Sequence, residues 1–134
     1  MTKYNATNRE LLSLYKGLEE VKSIKGARFA VLVGKNMKEL RNILDPLEQA
    51  AIPSIEFQEL SVEMQKLIEA EDQDGITKLE ETNTKLIDER KTQLANVEDL
   101  LDNEIEVFLH PIREDQLPDE ITGEQVEKLL QIIA

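Results

Sequence analysis

Lys25-Gly26-Ala27-Arg28-Phe29-Ala30-Val31-Leu32-Val33-Gly34-Lys35-Asn36, running on through Met37-Lys38-Glu39-Leu40 to Leu47, is the most apolar part of a polar chain. Its reading decides the fold, because the apolar run from Phe29 to Val33 suits two structures. As a short buried strand it would end at Gly34. As a helix it continues, since Phe29, Leu32, Val33, Asn36, Leu40, Ile43 and Leu47 then fall on one face at spacings of three and four. A strand forfeits that continuity, so the spacing favours a helix, with Gly26 as the break before it. Gly26, Ala30 and Gly34 recur every fourth residue along one edge, and a mid-helix Gly costs about 1 kcal/mol relative to Ala. The expectation is a shallow groove at Gly34 into which another helix backbone packs. Pro46 and Pro53 bracket the exit, so the helix is expected to kink or stop near Asp45.

Two features of this stretch bear on function. Asn36 is a polar residue on an apolar face, a position that commonly sets register through an interhelical hydrogen bond and otherwise meets a partner. Arg28, Lys35, Lys38 and Arg41 carry positive charge across the neighbouring surface. They read either as cations that are solvated or paired with the acidic later helices, or as a partner-docking patch. With Asn36 they form the candidate partner-binding set.

Working outward, the chain has 134 residues, a size for one domain with a core of its own, taken here as a single helical domain over 1–134. Aromatics are scarce, with three Phe, two Tyr and no Trp, so the core must be aliphatic, which suits packed helices. The absence of Cys excludes disulfides, thiolate metal sites and Cys nucleophiles. No apolar run approaches the ~18 residues of a membrane span. Met1-Thr2-Lys3-Tyr4-Asn5 lacks the apolar core of a secretory signal, so the host cytoplasm or a virion is the expected location. The net charge of −12 is uneven: residues 1–45 hold nine Lys and Arg against five Asp and Glu, and the remainder seven against twenty-three. So acidic a body disfavours direct nucleic-acid binding. The basic part is expected to meet acidic surface, in the same fold, in a neighbouring copy or in another protein.

A first helix opens at the capping box Thr7…Glu10 and carries the stripe Leu11, Tyr15, Leu18 and Val21, widened by Leu14. After the central helix, a third is expected from about Ser54 to Glu71 on Phe57, Leu60, Met64 and Leu67. A turn at Asp72-Gln73-Asp74-Gly75 leads to a long fourth from about Thr77 to Asn103. Its first half is thinly apolar, with Asn83 and Arg90 on the stripe, as in a helix that is solvent-bridging or covered by another chain. From Glu104 the period becomes two, so the segment 104–112 reads as extended. Thr122 and Gln125 form a second capping box opening a terminal helix on Val126, Leu129, Leu130 and Ile133. The fold class is therefore mainly α, a small bundle of about four to five helices with one short extended segment.

Motifs for chemistry are weak. Gly34-Lys35-Asn36 superficially matches the end of a phosphate-binding loop, but the leading Gly position is Phe29 and the magnesium-binding hydroxyl position is Asn36. Asp72, Asp74, Gly75 and Glu81 match four places of a calcium loop whose first ligand would be Ala70, so an ordinary acidic turn is the better reading. His110 has no second His or Cys to make a metal site. The many carboxylates do not converge with a nucleophile or base. No enzyme activity, cofactor or metal is expected.

The order of features has a counterpart. Lys25-Gly26-x-x-Phe29, the apolar run ending in Lys35-Asn36, the Asp74-Gly75 turn, the extended Glu104-Ile105-Glu106-Val107 segment, the Leu117-Pro118 step and the short amphipathic terminal helix resemble small helical proteins of unassigned function encoded by tailed bacteriophages. The resemblance implies a phage protein without catalysis. Its role would be a virion structural or assembly component of connector, completion, scaffold-like or decoration type, with itself or other virion proteins as partners and with homo-oligomerisation. The alternative it implies is a cytoplasmic effector that binds and inhibits a host protein, its acidic body imitating nucleic acid.

Overall fold

The computed structural model describes residues 1–134. It is mainly helical, with six α-helices and a two-stranded antiparallel sheet. In order these are β1 (Thr2–Thr7), α1 (Asn8–Val21), α2 (Ala27–Ala51), α3 (Ile55–Glu69), α4 (Gln73–Thr82), α5 (Thr84–Asp102), β2 (Glu104–Leu109) and α6 (Gly123–Leu129). Two compact units divide the chain: Met1–Leu47 with Leu100–Ala134 form the first, and Glu48–Asp99 the second.

The first unit is built on apolar stripes. Leu11, Leu14, Leu18 and Val21 of α1 meet Phe29, Val33, Met37, Leu40 and Leu44 of α2, with Ala6, Val107, Leu109, Ile112, Leu129 and Ile132 completing one core. The ambiguous run from Phe29 to Val33 is thus helical. Phe29 and Val33 are buried one turn apart, and the helical edge leaves Val31 54% exposed. Gly26 adopts φ 140°, open to glycine but strained for other residues, and so separates α1 from α2.

Both capping boxes form. The Glu10 backbone N–H donates to Thr7 Oγ1 at 3.1 Å and the Thr7 N–H to Glu10 Oε1 at 3.1 Å. Gln125 N–H donates to Thr122 Oγ1 at 3.1 Å and Thr122 N–H to Gln125 Oε1 at 3.0 Å.

β1 was not expected from sequence. It pairs with β2 so that Tyr4 faces Val107 and Ala6 faces Ile105, which turns the small apolar set of each strand towards the core. The extended segment 104–112 continues past β2. Ile112 N–H donates to the Ile132 carbonyl, and Ala134 N–H to the Ile112 carbonyl, both at 2.8 Å.

Three expectations are corrected. Of the kink or stop expected near Asp45, the stop does not occur: α2 runs through Pro46 to Ala51. Pro46 and Asn42, whose carbonyl loses its helical donor, are both exposed, which lowers the cost of the lost bond. The long fourth helix is two, interrupted at Asn83, where φ −116° and ψ 25° leave the helical region and the side-chain amide donates to the Leu79 carbonyl at 2.9 Å. This interruption explains why six helices form rather than five. Finally, the groove at Gly34 is not filled: nothing lies within 4 Å of where a Gly34 Cβ would stand. The close approach is at Gly17 instead, where an added Cβ would lie 3.0 Å from Lys128 Cβ of α6.

The second unit contains α3, α4, the last turn of α2 and most of α5. Its helix ends are well made. Ser54 Oγ accepts from Phe57 N–H at 3.1 Å, and Asp72 Oδ1 accepts from Gly75 N–H at 2.9 Å, which makes Asp72 a helix cap. α3 closes in a Schellman arrangement, with Asp72 N–H on the Leu67 carbonyl, Glu71 N–H on the Ile68 carbonyl, and Glu71 left-handed at φ 55°. Arg90, anomalous on an apolar stripe, donates to the Ala51 carbonyl at 2.8 Å and lies 5.7 Å from the Phe57 ring centroid. Gln93 donates to the carbonyls of Ala50 at 2.9 Å and Ile52 at 2.7 Å. These polar residues of α5 thus satisfy carbonyls that the end of α2 leaves without helical donors.

Candidate functional site

α2 presents two faces of opposite character. The buried one includes Asn36, which is fully inaccessible and makes a paired contact: its Nδ2 donates to the His110 carbonyl at 2.8 Å, and its Oδ1 accepts from the His110 N–H at 2.7 Å. Both polar ends of the amide are therefore used on the backbone of one residue just past β2. This separates Asn36 from the partner-binding set. It ties α2 to the strand exit from inside the core.

Arg28, Lys35, Lys38 and Arg41 lie on the outer side, all exposed. They surround Ala27, Ala30, Val31 and Gly34, which are exposed too, so the surface is a low apolar strip flanked by cations. The ion pairs of the molecule lie elsewhere. Lys3 meets Glu106 at 3.5 Å, Arg9 meets Asp102 at 3.1 Å, Arg113 meets Asp115 at 3.0 Å and Lys128 meets Glu20 at 2.8 Å. The four cations of α2 have no carboxylate within ion-pair distance, so the intramolecular pairing weighed for them does not occur.

A second surface was not legible in the sequence. A groove of about 590 Å³ runs along α3 and α5, with Phe57, Leu60, Met64, Ile68 and Ile87 on its apolar walls and Glu80, Asp88 and Lys91 as its charged residues. It exists because the second unit lacks a closed core. Leu60, at 7% exposure, is the only buried side chain between Glu48 and Asp99, while Ile52, Ile55, Val62, Ile68 and Leu94 are exposed. The surrounding unit is strongly acidic, with fourteen Asp and Glu against five Lys and Arg. Thin apolar spacing on the α5 stripe was the one sequence signal that pointed here.

Chemically, these surfaces are suited to protein contact. The α2 face offers a shallow relief and unneutralised positive charge, and the groove offers apolar walls in a negative field. No helix is long and apolar enough to cross a membrane. Comparison with protein families, with curated proteins and with solved structures finds no match.

Proposed function

We propose that this chain is a non-enzymatic interaction protein, a virion structural or assembly component of connector, completion or decoration type that finishes its surface against neighbouring subunits. The observation that supports this most is the second unit, in which three helices share one buried side chain and leave an apolar groove open. Helices of this kind gain most of their stability from a covered apolar face, so a partner surface is what the unit lacks. The resemblance to small helical tailed-phage proteins points to the virion as the setting. The competing role, a host-cytoplasm effector that inhibits a host protein, draws on the acidic surface of residues 48–99, which would imitate nucleic acid.

Mass spectrometry of purified virions beside infected-cell lysate tests the assignment. The chain is expected in particles or assembly intermediates at a fixed copy number. Recovery only as a free protein bound to a host factor would replace the assembly role with the effector role.

A further inference from the structure

We propose that the outer face of α2 in one copy seats in the α3–α5 groove of a second copy, joining the copies head to tail. This rests on the interaction-protein reading above and names the partner.

The two surfaces match in relief. Ala27, Ala30 and Gly34 give α2 a face with at most a methyl group per position, and the space above Gly34 is empty in the chain itself. Small residues let a second helix approach at the short end of the ~8–10 Å range of helix packing distances. Val31, 54% exposed, is the one projecting apolar group, and the 590 Å³ groove has room for it against Met64, Ile68 and Ile87.

They also match in charge. Arg28, Lys35, Lys38 and Arg41 have no ion-pair partner in their own chain. The groove carries Glu80 and Asp88 against one cation, Lys91, within a unit of fourteen acidic against five basic residues. Charge further selects the pairing mode. Two α2 faces together would oppose cation to cation, and two grooves together would oppose one acidic unit to another. Only the face-to-groove contact is complementary, and a contact of that kind leaves a free face at one end and a free groove at the other, so it repeats until a ring closes or a filament grows.

Sedimentation velocity of the full chain tests this at low salt (about 20 mM) and at about 0.5 M, where exposed charges are screened. The wild type is expected to associate at low salt and dissociate at high salt. Gly34→Leu on the face, and Glu80→Lys with Asp88→Lys in the groove, alter exposed positions and are expected to keep wild-type circular dichroism. Each is expected to weaken association by about tenfold or more. An equimolar mixture of the two variants keeps one intact face and one intact groove, so it is expected to form dimers and nothing larger. Wild-type association that either variant leaves unchanged, or a mixture that does not restore dimers, overturns the head-to-tail contact. A wild type that is monomeric at every concentration but present in purified virions overturns the self-pairing and leaves the assembly role standing. A monomer absent from virions overturns both.

Discussion

The two units of this chain are both helical, yet they are held together by different means. The first has fifteen of the sixteen buried apolar side chains, drawn from α1, α2, α6, the two strands and the segments beside them, which are far apart in sequence. The second has Leu60 alone, and its order comes from local devices: the Ser54 and Asp72 caps, the Schellman closure after α3, and Arg90 and Gln93 on the α2 carbonyls. Helix formation and core formation are thus separable. A segment can define its helix ends residue by residue and still leave its apolar face open for another surface.

That contrast can be broken most sharply at matched leucines. Leu40→Ala, at a position with 0% exposure, is expected to cost about 2–5 kcal/mol, since it opens a closed cavity. Leu60→Ala borders an open groove, where water enters freely, and is expected to cost less than about 1.5 kcal/mol. Chemical denaturation of both variants checks this, and equal losses would mean that the second unit has a closed core after all.

Asn36→Leu comes next. It leaves the His110 N–H and carbonyl without their side-chain partner, for an expected loss of about 2–4 kcal/mol, and Asn36→Ala should be no milder. A neutral result in the same denaturation assay would show that apolar filling compensates for both bonds.

The glycines follow. Gly17→Leu meets Lys128 and Leu129 and is expected to destabilise by about 1–3 kcal/mol, whereas Gly34→Leu, with open space above it, is expected to leave stability unchanged or slightly raised. In the second unit, Glu71→Gly relieves a left-handed backbone and is expected to raise stability by up to about 1 kcal/mol, read as slower hydrogen exchange at the α3 C-terminus.

The smallest effect concerns Lys128. Its hydrogen bond to Glu20 raises its pKa above the ordinary value of 10.5, against a lesser opposing effect of burial. A raised cation contributes stability that is fully present below its unfolded pKa and is lost as pH rises through the folded one. The difference between wild type and Lys128→Met is therefore expected at neutral pH and low salt, and should vanish in strongly alkaline solution. Melting curves across pH check the sign.

Much of the first unit was legible in the sequence, and the reasons are local. Thr7 with Glu10 and Thr122 with Gln125 announce helix starts within four residues. The period of Phe29, Val33 and Leu40 announces a helix, and the alternation of Ile105, Val107 and Leu109 a strand. β1 was illegible because Thr2-Lys3-Tyr4-Asn5-Ala6-Thr7 offers only Tyr4 and Ala6 as inward groups, and its strand character comes from a partner about a hundred residues away. The passage of α2 through Pro46 depends on that residue being exposed, and the break at Asn83 on one amide bonding backward. Spacing alone determines neither. Of the candidate site, the outward cations could be read from helical periodicity, and the core placement of Asn36 was one of its two readings. The groove could not, because it is defined by what fails to cover α3 and α5.

The bond between Asn36 and the His110 peptide spans 74 positions, and the whole acidic unit lies between its two ends. During synthesis, α1 and α2 leave the ribosome before the second unit, and five residues that complete their shared core, Val107, Leu109, Ile112, Leu129 and Ile132, arrive only after Asp99. The first unit therefore completes itself last, by a long-range closure of the slow kind that non-local contacts impose. Until then the part of the core that these residues cover stays open, the kind of transiently exposed apolar surface that favours aggregation.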